Sequence, residues 1–219
     1  MIKIKAAIFD MDGLLIDSEP LWQEAEIETF KDVGVFLTKE MAKKTMGLRL
    51  DEVVEYWFSR SPWKKPTKKE IEIKIVERVI ELIGRKGTLK NGVIKTLDFF
   101  TVKNIPMAIA SSSQTDIINA VLDKTSIGKY FKIVHSAQNE KYGKPHPGVY
   151  ITAAEKIDID PKHCLAFEDS PNGVLAAKAA KMKCVVVPDQ IIKTDNRFSI
   201  ADKIIDSLND FSLEILENL

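Results

Sequence analysis

Asp10 and Asp12 stand two residues apart, with Gly13 directly after them, at the end of the apolar run Ala6-Ala7-Ile8-Phe9. A short continuous apolar run reads as a buried parallel strand. Open α/β sheets bind ligands at the carboxyl ends of such strands. Two carboxylates crowded there repel by roughly 4 kcal/mol at ~4 Å and an effective dielectric near 20. A cation, or a chemical task that needs both groups, is the usual reason for such a cost. Asp and Gly also favour plain surface turns, so the pair gains weight only from partners farther along the chain.

Those partners fall in matching places. Ser111 and Ser112 follow the run from Ile105 to Ala110, Lys144 lies in Gly143-Lys144-Pro145-His146-Pro147, and Glu168-Asp169 close the run Cys164-Leu165-Ala166-Phe167. Singly, each has a plainer explanation. Serines end strands, a lone lysine is solvated, and acids before a helix cap its N-terminus. Together they sit just past an apolar run or just before the next helical segment. Carboxylates gathered there call for a hard divalent cation with oxygen ligands, Mg²⁺ above all. A hydroxyl and an ammonium beside it supply donors for an anion with several oxygens. That combination describes phosphoryl chemistry. His135, His146 and His163 show no ligand spacing and are read as non-catalytic, His146 being the one nearest the site.

The elements that must position these residues come in two kinds. Leu21 to Val33 reads as a helix stopped by Gly34, Lys39 to Met46 as a short one stopped by Gly47, and Val53, Val54, Trp57 and Phe58 as the stripe of a third. Thr67 with Glu70 forms a capping box, from which Ile71, Ile75, Val79 and Ile83 continue at helical spacing. Gly84 and Gly87 then bracket Arg85-Lys86 as a flexible link. After that, helices alternate with strands: helices over Gly92 to Val102, Gln114 to Thr125, Pro147 to Lys156 (with Pro147 in its first turn) and Gly173 to Met182, strands at Ile105, Phe131, Cys164 and Cys184, and one more helix near the C-terminus. Alternation of this kind predicts an α/β fold with a doubly wound parallel sheet. The expected organisation is a core of residues 1–16 and 85–219 with an all-helical insert over 17–84, placed over the ligand site like a lid.

Composition bounds the function. Lys plus Arg equals Asp plus Glu at 32 each, so no charge bias points to nucleic acid or an acidic membrane. No stretch approaches the ~18 apolar residues of a membrane span, and Asp10 and Asp12 cut short any leader-like run. Cys164 and Cys184 lie far apart in apolar runs and read as buried free thiols. The expectation is a cytoplasmic protein acting on a small phosphorylated metabolite, with no nucleic-acid or membrane partner and a monomer as the default.

At this point the residues resemble a known family, the haloacid dehalogenase superfamily of phosphohydrolases, over essentially the whole chain. Phe9-Asp10-Met11-Asp12-Gly13 looks like its first motif, Ala110-Ser111 its second, Gly143 to Pro147 its third, and Phe167-Glu168-Asp169-Ser170 its fourth. The helical insert resembles the C1-type cap of the β-phosphoglucomutase-like branch. Within it the chain looks most like bacterial hexitol and 2-deoxyglucose-6-phosphate phosphatases, through Ile16 to Trp22, Gly47-Leu48-Arg49, Ser61-Pro62-Trp63 and Asp195 to Phe198. The mutases of the branch carry a His in the first cap helix where this chain has Trp22, which leans toward hydrolysis; Lys90-Asn91-Gly92 departs only in a linker.

The resemblance, joined to the chemistry, implies that Asp10 attacks phosphorus and Asp12 serves as acid and base. It implies Mg²⁺ on Asp10, on the main-chain carbonyl of Asp12 and on Asp169, with Glu168 binding directly or through water. Ser111, Ser112 and Lys144 would bind the phosphoryl group, and Arg49 is the cap residue expected to reach the site. The product would be free phosphate from a small monoester, a sugar or polyol phosphate being suggested, with phosphosugar transfer as the alternative. A receiver-type signalling module gathers similar groups but is about half this length.

Overall fold

The computed structural model describes residues 3–45, 47–189 and 192–219. Six strands form one parallel sheet in the order β3-β2-β1-β4-β5-β6: β1 Ala6–Phe9, β2 Met107–Ser111, β3 Phe131–Ser136, β4 Cys164–Glu168, β5 Lys183–Val186 and β6 Lys203–Ile204. From β1 the order runs one way through β2 and β3 and the other way through β4 to β6. The switch point therefore lies between β1 and β4, where an open α/β sheet opens its ligand crevice.

The central strands are apolar on both faces because both faces are covered. Side chains alternate across a strand. Ala7, Phe9, Ile109, Leu165, Phe167 and Val185 join one core, whereas Ala6, Ile8, Ala108, Cys164, Ala166 and Val186 join the other. In the first core the ring of Phe9 stacks on Phe167 with centroids 4.6 Å apart. Phe100, from α5 (Val93–Val102), meets both rings edge-on. The second core is filled by α7 (Gly148–Lys156) and α8 (Pro171–Ala179), whose Tyr150, Ala153, Ala154, Val174 and Ala177 are fully buried. Helix α6 (Thr115–Thr125) buries Ile117, Ile118 and Val121 in the first core, and α9 (Leu213–Glu217) closes the chain. Both cysteines are buried free thiols, as expected.

Between β1 and α5 the described elements are helices, apart from isolated bridges that join Ile16 to Asp12 and to Leu89: α1 Glu19–Lys31, α2 Lys39–Ala42, α3 Leu50–Arg60 and α4 Lys68–Lys86. Helix α4 packs on α1 and α3 through Ile71, Ile75, Val79, Leu82 and Ile83. Each such side chain contributes about 1.5–3 kcal/mol on burial. The Thr67–Glu70 capping box forms in both directions. The chain crosses between this block and the sheet twice, and the crossings are tied together. The Lys90 N–H donates to the Leu15 carbonyl and the Asp17 N–H to the Thr88 carbonyl, both at 3.0 Å.

Several local expectations are corrected. Gly84-Arg85-Lys86 is no link, because α4 runs through it to Lys86; a mid-helix glycine costs only about 1 kcal/mol, and the buried Leu82 and Ile83 outweigh that. Pro147 is the N-cap of α7 rather than a first-turn residue. The segment from Lys39 is helical only to Ala42 and then tightens into a 3₁₀ turn over Lys43–Thr45; its expected end, Met46, lies outside the described residues. In α3, Val53, Val54 and Trp57 are buried while Phe58 is only half-buried, packing against Trp63. Strand β6 had no counterpart in the sequence reading.

Candidate active site

Asp10 follows β1, Ser111 ends β2 and Glu168 ends β4, three neighbouring strands. Strand register therefore converges these groups, and the Asp10 N–H is fixed by the Phe167 carbonyl at 3.0 Å. Ligand atoms of Asp10, Glu168 and Asp169 all lie within 4.8 Å of one another, and all three residues are buried. Lys144 enters beneath them, with its Nζ 2.7 Å from Asp10 Oδ1 and 2.6 Å from Glu168 Oε1. Three buried carboxylates against one ammonium leave an excess of negative charge. Burial pushes the Asp10 carboxyl up to about 7 despite Lys144. Burial and then the Asp10 charge raise Asp169 well above the usual carboxylate range. Burial alone would lower Lys144, but Asp10 and Glu168 reverse that and hold it firmly charged. A hard divalent cation is the group such a donor set fits.

Glu168 is the most heavily committed of these side chains. Its Oε1 accepts from Lys144 and from the Tyr150 hydroxyl, each at 2.6 Å. Its Oε2 accepts from the Asp169 N–H, the Ser170 N–H and the Ser170 hydroxyl at 3.1–3.2 Å. The first turn of α8 passes so close that a Cβ on Gly173 would lie 1.9 Å from the Glu168 carboxyl. Gly173→Ala therefore forces Glu168 off its partners. The expected result is a stability loss of about 1–3 kcal/mol with a parallel fall in kcat, read by thermal melting and steady-state kinetics. Gly13 is constrained the same way: its φ is +75°, and a Cβ there would meet Asp169 Oδ2 at 2.1 Å.

Asp12 is half-buried and held differently. Oδ1 accepts from the Ser18 hydroxyl at 2.7 Å and from Trp22 Nε1–H at 3.0 Å, and Oδ2 accepts from the Ser113 hydroxyl at 2.7 Å. Two of these donors belong to the start of the helical block, so the block and the sheet share one carboxylate. The sequence assigned no site role to Ser18, Trp22, Ser113 or Tyr150, although Ser18 and Trp22 lie in the Ile16 to Trp22 stretch that carries the resemblance. For Ser18 and Trp22 the available signal was their i, i+4 spacing just after the first motif. For Tyr150 it was a phenol on an otherwise apolar helix face, which needs a partner once buried.

The expected phosphate ligands are placed unequally. Ser112 and Ser113 line the cavity above the carboxylates, together with Asp10, Asp12, Lys144 and Asp169. The Ser112 hydroxyl is buried with no hydrogen-bond partner, the state of a donor whose acceptor is an absent ligand. The Ser111 hydroxyl is fully buried; it accepts the Ser113 N–H at 3.0 Å and approaches Asp12 Oδ2 at 3.5 Å. It is not part of the cavity lining. Arg49 is not brought to the cavity: its guanidinium donates to Asp51, to the Glu140 carbonyl at 3.0 Å and to the Ala137 carbonyl at 3.4 Å. It thereby fastens the start of α3 to the core. His146 accepts the Gly148 N–H at 3.1 Å, and His135 lies between Glu140 and Lys156, so neither faces the carboxylates.

A parallel sheet that gathers paired carboxylates, a buried ammonium and an unpartnered hydroxyl at its switch point is the framework of a phosphate-ester hydrolase. The chain belongs to the haloacid dehalogenase-like hydrolase family, whose profile matches residues 7–187. It is 39% identical to hexitol phosphatase B of Escherichia coli strain K12 over 215 residues, covering 98% of this chain and 97% of that protein. It is 30% identical to (DL)-glycerol-3-phosphatase 2 of Arabidopsis thaliana, covering 96% and 90%. Among solved structures, CbbY from Rhodobacter sphaeroides in complex with phosphate superposes with a TM-score of 0.89 at 26% identity, covering 98% and 99%. A mutant of that protein is known in complex with xylulose-(1,5)-bisphosphate. The chain is accordingly a phosphoric monoester hydrolase, and the expected family and fold class hold. Among the described residues no helix is long and apolar enough to cross a membrane.

Proposed function

We propose that this enzyme hydrolyses a small sugar or polyol phosphate through a phosphoryl group carried on Asp10. The observation that carries the reading is the position of Asp10, which shares a buried cluster with Lys144 and Asp169 in the cavity that the unpartnered Ser112 hydroxyl also lines. Hexitol and glycerol phosphatases among the relatives supply the substrate class. Asp10, Asp169 and the main-chain carbonyl of Asp12 would hold Mg²⁺, with Glu168 steadying the set, and the ion would neutralise phosphoryl charge and so favour attack by a carboxylate. Lys144 offsets part of the burial cost of an ionised Asp10 and orients it. Ser112, with neighbouring backbone N–H groups, cradles the phosphoryl oxygens; Ser111 steadies that loop. Asp12 delivers its proton to the leaving alkoxide and then takes one from the water that frees Asp10. Residues 17–84, with α4 continued to Lys86, act as a cap over the cavity, and Arg49 serves as a clamp between cap and core.

The direct test is a panel of phosphate monoesters assayed for free phosphate with Mg²⁺. Hexitol and hexose 6-phosphates should lead the panel, EDTA should stop release and added Mg²⁺ restore it. Conversion of a sugar 1-phosphate into its 6-phosphate isomer, with little free phosphate, would replace hydrolysis by transfer. Trp22→Phe should lower kcat about 10-fold, the worth of one hydrogen bond that orients the Asp12 carboxyl, with a smaller loss for p-nitrophenyl phosphate, whose leaving group needs no proton.

A further inference from the structure

The cavity wall facing the carboxylate cluster comes from the helical block. Helix α1 turns Glu19, Trp22, Gln23 and Glu26 to it, one helical face by their spacing. Gln23 and Glu26 are 8% and 7% exposed. Gln23 donates to Glu19 Oε1 at 3.0 Å, leaving its amide oxygen and a second N–H. Glu26 makes no hydrogen bond with any described residue. Glu26 is more than nine-tenths buried as a residue and lines the cavity without a partner for its carboxyl among the described residues, which leaves that carboxyl free to bind a ligand there. Burial, and then Glu19, push Glu26 up to about 8, so near neutrality it is a carboxylic acid that both donates and accepts, as a hydroxyl requires.

The rest of this wall is mainly apolar, through Ala42, Leu48, Leu50 and Val53, and the Thr45 hydroxyl on it donates to the Ala42 carbonyl. Among the described lining residues Lys144 is the single cation, and Asp10 and Glu168 occupy it. Lys43 lies outside the lining and acts on Glu19 by its charge. We infer that Glu26, assisted by Gln23, recognises the uncharged hydroxyl-bearing end of the substrate, and that this wall rejects a second phosphate or carboxylate. A second anion there would lose its water without gaining a counter-charge. The inference rests on reading the carboxylate cluster as the phosphate site, and it sets this chain apart from a relative known with a bisphosphate.

The test compares kcat/KM for a hexitol 6-phosphate, a hexose 1,6-bisphosphate, xylulose 1,5-bisphosphate and p-nitrophenyl phosphate. For the unmodified enzyme the hexitol ester should exceed both bisphosphates about 100-fold. Glu26→Leu should lower kcat/KM for the hexitol ester about 10-fold or more while leaving p-nitrophenyl phosphate within about twofold, and Glu26→Gln should retain most hexitol activity. Equal turnover of bisphosphates and monophosphates by the unmodified enzyme would overturn the inference without any variant. So would a Glu26→Leu enzyme with undiminished hexitol activity, or one that loses both ester activities alike. Failure of the underlying phosphatase reading is distinct: no ester at all, p-nitrophenyl phosphate included, would then release phosphate.

Discussion

Asp10→Asn abolishes phosphate release, with a fall in kcat on the order of 10⁴-fold or more, and leaves the fold in place. The amide is isosteric with the carboxylate, so Phe9 and Phe167 stay stacked and the backbone bond from the Asp10 N–H to the Phe167 carbonyl is kept. What disappears is the anionic oxygen that attacks phosphorus and one of three carboxylates of the cluster. Because burial already raises the Asp10 carboxyl, removing its charge should not destabilise the metal-free protein. The expected pattern is therefore unchanged or higher thermal stability in EDTA, weaker stabilisation by Mg²⁺, and no turnover. A variant that is inactive only because it is unfolded would show the loss in circular dichroism.

Lys144→Met is the second large effect, and it falls on stability as well as activity. The Nζ sits between Asp10 and Glu168 at 2.7 and 2.6 Å, and the Lys144 side chain is 3% exposed. Removing one partner of a buried ion pair typically costs about 3–5 kcal/mol. At about 2–4 °C per kcal/mol for a chain of this size, the midpoint should fall by roughly 6–20 °C in EDTA. A bound divalent cation would replace part of the missing positive charge, so Mg²⁺ should recover some of that loss. Activity should stay low even then, because nothing orients Asp10. Thermal melts of both proteins with EDTA and with Mg²⁺ check the sign.

The sheet was legible because its strands are buried on both faces and so read as short apolar runs between helical segments. Strand β6 was not, since Lys203 and Ile204 are an exposed edge pair whose place comes only from hydrogen bonding to β5. The glycine at 84 looked like a break because a single-residue preference carries no information about the buried face that overrides it. At the site, the residues that end strands were visible from position alone: Asp10, Glu168 and Asp169. Lys144 was visible too, but the rest of what holds them was hidden. Tyr150 meets Glu168 from eighteen residues upstream, and Ser113 reaches Asp12 from another strand end. Arg49 shows the opposite failing: its motif context drew it toward the cavity, while the nearby Glu140 and Ala137 carbonyls and Asp51 give its guanidinium closer partners.

The central claim, a phosphoryl group carried on Asp10 and released with the help of Asp12, is tested most directly by trapping it. Asp12→Asn should still accept the phosphoryl group from p-nitrophenyl phosphate, whose leaving group needs no proton, but should stall when water must be activated. Rapid mixing with Mg²⁺ should then give a burst of p-nitrophenolate equal to the enzyme concentration, without matching free phosphate. Mass spectrometry after acid quench should find the peptide containing Asp10 one phosphoryl group heavier. Release of p-nitrophenolate and phosphate in step, with no burst and an unmodified Asp10, would contradict the account.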